Sequence, residues 1–83
     1  MRIQTIVVDD EPLARERLLK LLRAEPEIDV VGEARNGREA VTLIREKKPA
    51  LAFLDVQMPE LDGFAALAEL GESERPEIGR AHV

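Results

Sequence analysis

The residues best suited to chemistry in this 83-residue chain are acids that follow short apolar runs. Ile6-Val7-Val8 leads straight into Asp9-Asp10-Glu11, and Leu51-Ala52-Phe53-Leu54 leads into Asp55. Carboxylates brought together repel one another unless a bound cation, a nearby Lys or Arg, or protonation of one acid offsets the charge. Mg²⁺ suits such a group, being a hard octahedral ion held by one or two carboxylates, with water or phosphate oxygens in its other positions. A carboxylate beside that ion can attack a phosphoryl group and form an acyl phosphate, a reaction in which the protein's main task is alignment. The same residues also have plainer uses. Asp9-Asp10-Glu11 ahead of Pro12 suits a helix start alone, and Asp55 serves equally as a loop acid; spacing leaves both readings open.

Whether these acids meet depends on the elements that carry them. Ile3–Val8 is short, apolar and β-branched, the pattern of a strand buried on both faces. Pro12 fits the first turn of a helix over 13–24, with Leu13, Ala14, Leu18, Leu21 and Leu22 as its apolar face and Arg15, Glu16, Lys20 and Arg23 on much of the rest. Glu25-Pro26-Glu27 ends it. Ile28–Ala34 reads as a second strand, Asn36-Gly37 as a turn, and 38–47 as a second helix with Ala40, Val41, Leu43 and Ile44 inward. Lys47-Lys48-Pro49 closes that helix, its lysines at the negative end. A third strand over 51–54, a turn at Leu61-Asp62-Gly63 and a short helix over 64–70 complete a β-α-β-α-β-α order. Such alternation implies a doubly wound parallel sheet with right-handed crossovers. Its ligand site lies beyond the carboxyl ends of the strands. Asp9, Asp10 and Asp55 are therefore expected at one edge.

Bulk composition removes other classes. Hydrophobic residues at 45% and charged residues at 35% fit a globular domain. A net charge of −5 and the lack of any aromatic beyond two Phe argue against a nucleic-acid surface within these residues. The absence of Cys excludes disulfides and thiolate zinc sites. No apolar run approaches the ~18 residues of a membrane span, and the start has no signal-peptide pattern, so the cytoplasm is the expected compartment. There is no internal repeat.

Val7-Val8-Asp9-Asp10-Glu11-Pro12 resembles the opening of a receiver domain of two-component response regulators, and so does Val30-Val31-Gly32-Glu33-Ala34 followed by Asn36-Gly37 and Glu39-Ala40. Leu54-Asp55-Val56-Gln57-Met58-Pro59-Glu60-Leu61-Asp62-Gly63-Phe64 is similar to the phosphorylation loop of that family. The resemblance implies a flavodoxin-like fold and a phosphorelay role. Asp55 would accept a phosphoryl group from a sensor histidine kinase. Asp10 and Asp55 would ligate Mg²⁺ through their carboxylates, Gln57 through its backbone carbonyl, and Asp9 through a water. Glu11 is expected to be a helix-start charge rather than a ligand, and Pro59 and Gly63 to shape the loop. Asp10-Glu11-Pro12-Leu13-Ala14-Arg15-Glu16-Arg17-Leu18 is similar to receivers that precede a LytTR-type DNA-binding domain. DNA would then be reached only through a C-terminal output domain outside these residues, with dimerisation open to the intact protein and no membrane partner.

Two other functions compete with phosphorelay. A Mg²⁺-dependent phosphohydrolase would typically carry Asp-x-Asp at the first strand end, unlike the Asp9-Asp10-Glu11-Pro12 found here. A phosphorylation-independent interaction module, a degenerate receiver, is at odds with the intact set of Asp9, Asp10 and Asp55.

The family continues with a fourth strand bearing a Ser or Thr that binds the phosphoryl group and a fifth bearing a Lys that pairs with it. Neither can be found here: Lys20, Lys47 and Lys48 are the only lysines, and all lie at helical positions unsuited to that role. The expectation is an incomplete receiver over 1–77, β-α-β-α-β-α only. Ile78-Gly79-Arg80-Ala81-His82-Val83 matches the translation of a common sequencing adapter (ATC GGA AGA GCA CAC GTC), so 78–83 is expected to be a non-native tail. The third strand would then be an open edge, the first helix would expose apolar surface, and the chain would tend to aggregate.

Overall fold

The computed structural model describes residues 2–55 and 68–81, leaving aside the side chains of residues 55, 80 and 81. Its described elements run β1 (Ile3–Val8), α1 (Pro12–Arg23), β2 (Ile28–Ala34), α2 (Gly37–Lys47), β3 (Leu51–Asp55), a single 3-10 turn at Glu72–Glu74, and β4 (Glu77–Ala81). The strands form one sheet in the order β2-β1-β3-β4, and every pairing is parallel.

The core follows from side-chain alternation along β1. Ile6 and Val8 point to one face, where they meet Ala34, Ala40, Val41, Ile44, Ala52, Leu54 and Leu70 beneath α2. Val7 points to the other, against Leu18, Leu19 and Leu22 of α1, with Ile28, Val30 and Phe53 beside them. One strand therefore serves two cores, which is why it reads as an unbroken apolar run. Ile6 is fully buried and Ile44 nearly so; each such side chain contributes about 1.5–3 kcal/mol by leaving water.

The inward face of α1 differs from the expected one. Leu18, Leu19 and Leu22 are buried, whereas Leu13 and Leu21 are 66% and 62% exposed. The helix is thus rotated so that Leu19 takes the inward place assigned to Leu21. The exposed apolar surface expected on this helix is present at those two leucines.

Local chemistry fixes the ends of the elements. Pro12 occupies the first helical position of α1, where a missing N–H costs nothing. At α2 the Asn36 side chain caps by accepting from the Glu39 N–H at 2.9 Å. That helix stops at Lys48, whose N–H makes a last bond to the Ile44 carbonyl and whose left-handed φ of 48° turns the chain away before Pro49. Between Thr5 and Ile6 the β1–β2 register skips Val31, a bulge that brings both Val31 and Gly32 to the α2 side. A Cβ on Gly32 would lie 3.0 Å from Leu43 Cδ2. A side chain there would require Leu43 to give way by a few tenths of an ångström.

The main departure from expectation is β4. Glu77–Ala81 pairs along β3 from Leu51↔Glu77 to Asp55↔Ala81, so β3 is interior and β4 is an edge. One β-branched residue and a Gly make this segment a weak strand by composition. An unpaired edge, however, recruits through main-chain N–H and C=O groups whatever the side chains. The doubly wound parallel class is as expected, with one strand more. The helix expected over 64–70 lies outside the described residues up to 67, and 68–70 form a turn and bend. Buried Leu70 anchors that turn beneath α2, and Arg45 Nε reaches Glu74 Oε2 at 3.3 Å.

Candidate functional site

The pairing of β1 with β3 aligns Val8 with Leu54. Asp9 and Asp55 are the next residues on the two strands, and both strands end at the same edge of the sheet. Asp10 follows Asp9 directly. The sequence-based expectation of a shared carboxyl edge for Asp9, Asp10 and Asp55 is met at the level of the backbone. The Asp55 side chain, Gln57, Pro59 and the turn at 61–63 lie outside what is described.

Asp9 is built into the fold rather than hung on its surface. Its side chain is buried with the residue only 1% exposed, and its backbone N–H extends the β1–β2 pairing by donating to the Ala34 carbonyl at 3.0 Å. Its Oδ1 accepts the Glu11 N–H at 2.9 Å. That bond closes a tight Asx turn and satisfies an N–H at the helix start. Glu11, at the cap position of α1, makes no side-chain capping bond, so the capping duty falls to Asp9. Asp10 is exposed at the bend between strand and helix. The edge thus offers one carboxylate held in place and one open to solvent.

A cation already stands beside these acids. Arg15, on the first turns of α1, donates from Nη1 to the Asp9 carbonyl at 2.8 Å and from Nε to Glu33 Oε1 at 3.2 Å. Its side chain is only 16% exposed. Sequence reading placed Arg15 on the solvent side of the helix and gave it no role. The overlooked signal was its spacing, one turn beyond Glu11, which returns a long side chain over the strand end it has just left.

A second polar cluster lies where β2 enters α2. Glu39 Oε1 accepts the Arg35 N–H at 2.9 Å and its Oε2 pairs with Arg35 Nη2 at 3.0 Å. These bonds, the side-chain one foremost, hold the Glu39 carboxyl below the usual carboxylate range, with a smaller contribution from the charge of Arg15. Among the described side chains, no group of three or more His, Cys, Asp or Glu is placed to hold a metal ion. No helix among the described residues is long and apolar enough to cross a membrane.

A parallel sheet wound on both faces, with a buried aspartate and an exposed one at the end of β1 and a third aspartate ending β3, is the framework of a response-regulator receiver. Residues 5–80 match the family model described as "Response regulator receiver domain", and the chain belongs to that family, a signalling domain of two-component systems. It is 42% identical over 76 residues to the transcriptional regulatory protein BtsR of Salmonella typhi, an alignment covering 92% of this chain and 32% of that protein. The chain thus spans about a third of the length of that relative. Among solved structures it resembles the response regulator domain of Thermotoga maritima CheB, with a TM-score of 0.84 and 32% identity over 96% of this chain and 60% of that one. It also resembles a chain from the R. sphaeroides complex of CheY6 with the P1 domain of CheA3, with a TM-score of 0.78 and 29% identity over 94% and 61%.

Proposed function

We propose that this chain is the phosphoryl-accepting part of a response regulator, in which Asp55 receives a phosphoryl group from a sensor histidine kinase in a Mg²⁺-dependent reaction. The observation that carries this reading is the alignment of Val8 with Leu54, which gives Asp9, Asp10 and Asp55 a common edge. The donor set suits Mg²⁺: all are hard oxygen ligands, with Asp9 fixed by its turn and Asp10 open to solvent. Asp10 and Asp55 would hold the ion through carboxylates, Gln57 through its backbone carbonyl and Asp9 through a water. When bound, the ion neutralises charge on the transferring oxygens.

A carboxylate oxygen of Asp55 forms the new bond to phosphorus while the bond to the kinase imidazole nitrogen breaks. The phosphoryl group leaves as an acyl phosphate on the chain, and the imidazole is released to take up a proton. The chain itself acts as acceptor and switch and is not an enzyme acting on a further substrate. Likeness to a chain from the CheY6–CheA3 P1 complex supports a kinase as donor. Likeness to a transcriptional regulatory protein supports a DNA-binding output domain, and the Asp10-to-Leu18 pattern supports the LytTR-type branch. With such an output the protein acts in the cytoplasm, and dimerisation is open to the intact protein.

The test is to incubate the chain with a small phosphodonor and Mg²⁺ and to measure intact mass. The expected result is one added phosphoryl group that requires Mg²⁺ and is lost in Asp55→Asn. Labelling that persists in Asp55→Asn would refute the assigned acceptor.

A further inference from the structure

Acids gathered at one sheet edge can share a cation only if they are held in a fixed geometry, and Arg15 is placed to supply the frame. Its guanidinium spans two elements, bonded to the Asp9 carbonyl at 2.8 Å and to Glu33 Oε1 at 3.2 Å. We propose that Arg15 is a positioning residue for the acidic edge, a clamp that fixes the turn from Asp9 to Glu11 so that Asp10 is presented in one geometry. This inference rests on the reading of that edge as a Mg²⁺ site.

The clamp is built by shape. Nε and Nη1 diverge from a planar fork, so one side chain holds the end of β1 and the carboxylate on β2 together. Lysine carries its three donors on one compact nitrogen and lacks the planar fork that reaches two divergent partners in a fixed geometry. The turn is closed from its other side by the bond from the Glu11 N–H to Asp9 Oδ1. Carbonyl and carboxylate of Asp9 are thus both held. Asp10, the next residue, inherits that orientation through its backbone.

Charge and positioning make opposite forecasts, which allows them to be separated. If Arg15 acted only as a nearby positive charge, its removal would strengthen Mg²⁺ binding. Its charge, however, is largely matched by Glu33, so its geometric effect dominates and removal weakens binding. Partners that orient a ligand without touching the ion typically change affinity by about 10–100-fold, and the lower end is expected for an arm with 16% of its side chain exposed.

The decisive experiment compares the wild-type chain with Arg15→Met, Arg15→Lys and Glu33→Gln. The chain has no Trp or Tyr, so Mg²⁺ binding is followed by calorimetry and amide NMR rather than by intrinsic fluorescence. Arg15→Met is expected to weaken Mg²⁺ binding about tenfold, to speed hydrogen exchange of the Glu11 amide, and to leave the plateau rate of phosphodonor labelling at saturating Mg²⁺ unchanged. Arg15→Lys should recover part of the affinity, and Glu33→Gln should weaken it less than Arg15→Met does. Unchanged or tighter Mg²⁺ binding in Arg15→Met overturns the inference, as does a lowered plateau rate with unaltered Mg²⁺ dependence. If Arg15→Met fails to fold, unchanged Mg²⁺ affinity in both other variants overturns it instead. A wild-type chain that binds Mg²⁺ but takes no phosphoryl group refutes the proposed function alone, whereas one that binds no Mg²⁺ refutes both.

Discussion

Val8 of β1 stands opposite Leu54 of β3, and Asp9 and Asp55 are the first residues past that rung. The alignment sets where charge gathers in a sheet whose strands are otherwise apolar. Val8 and Leu54 are both buried beneath α2, so a slip of one residue between the strands would turn the apolar set of β3 to the wrong face. The register that protects the core is the same register that brings the acids together. Stability and chemistry therefore share one constraint.

Asp9 should separate the structural from the chemical contribution of a carboxylate. Asp9→Asn keeps an oxygen able to accept the Glu11 N–H, whereas Asp9→Ala removes it and leaves that amide without this bond. In urea melts Asp9→Ala is expected to lose about 1–3 kcal/mol, and Asp9→Asn clearly less. Both should lose Mg²⁺-dependent labelling. Equal destabilisation by the two variants would show that the turn bond contributes nothing.

The start of α2 carries a second separable effect. Asn36→Ala removes the acceptor of the Glu39 N–H and should cost about 1 kcal/mol. Glu39 adds a pH dependence, because its carboxyl is held low chiefly by the Arg35 hydrogen bonds. A lowered folded value means that the contribution is present above the ordinary carboxylate range and is lost as pH falls through the depressed value. Glu39→Gln should flatten the acid limb of the stability profile, weakly, since the pair is exposed and screened by salt. Thermal melts between neutral and acid pH, at low and high salt, are the check.

Gly32 tests the bulge. An added Cβ would lie 3.0 Å from Leu43 Cδ2 and 3.2 Å from Cδ1, so Gly32→Ala is expected to cost about 1 kcal/mol through overpacking. Shortening the neighbour makes room, and Gly32→Ala should cost less in a Leu43→Ala background than alone. A double-mutant cycle with additive effects would mean that the two side chains do not compete for this space.

The first three strands, both helices and the acidic edge were legible because each rests on local pattern. β1 and β2 have the bounds their composition suggested, and the helices differ by a residue or so at their starts. The inward face of α1 was misread because Leu13, Leu18, Leu19, Leu21 and Leu22 offer more apolar residues than one face can bury, and only the packing against Val7, Val30 and Phe53 chooses among them. Arg15 escaped notice because its partners, a carbonyl on β1 and a carboxylate on β2, are adjacent only after the crossover is made. β4 escaped because edge pairing depends on the main chain of β3 and not on the side chains of Glu77–Ala81.

That last point bears on the proposed origin of 78–83. Any extended segment arriving after buried Pro76 finds the open side of β3, so pairing by Glu77–Ala81 is compatible with residues that are translated adapter sequence. Removing 78–83 should expose the β3 edge, speed hydrogen exchange of its amides and increase light scattering on concentration. The retained chain should also self-associate, because β4 is itself an edge and Leu13 and Leu21 lie exposed on α1. A truncated chain as soluble and as protected on β3 as the full one would refute the structural role of β4. The origin of the tail is decided separately by the nucleotide record: codons other than ATC GGA AGA GCA CAC GTC at these positions would rule out adapter read-through. If the codons match, the gene's own residues are expected to form the strand beside Asp55 and to bring the Ser or Thr that the family places there. The longer gene product should then take up the phosphoryl group faster than the 83-residue chain.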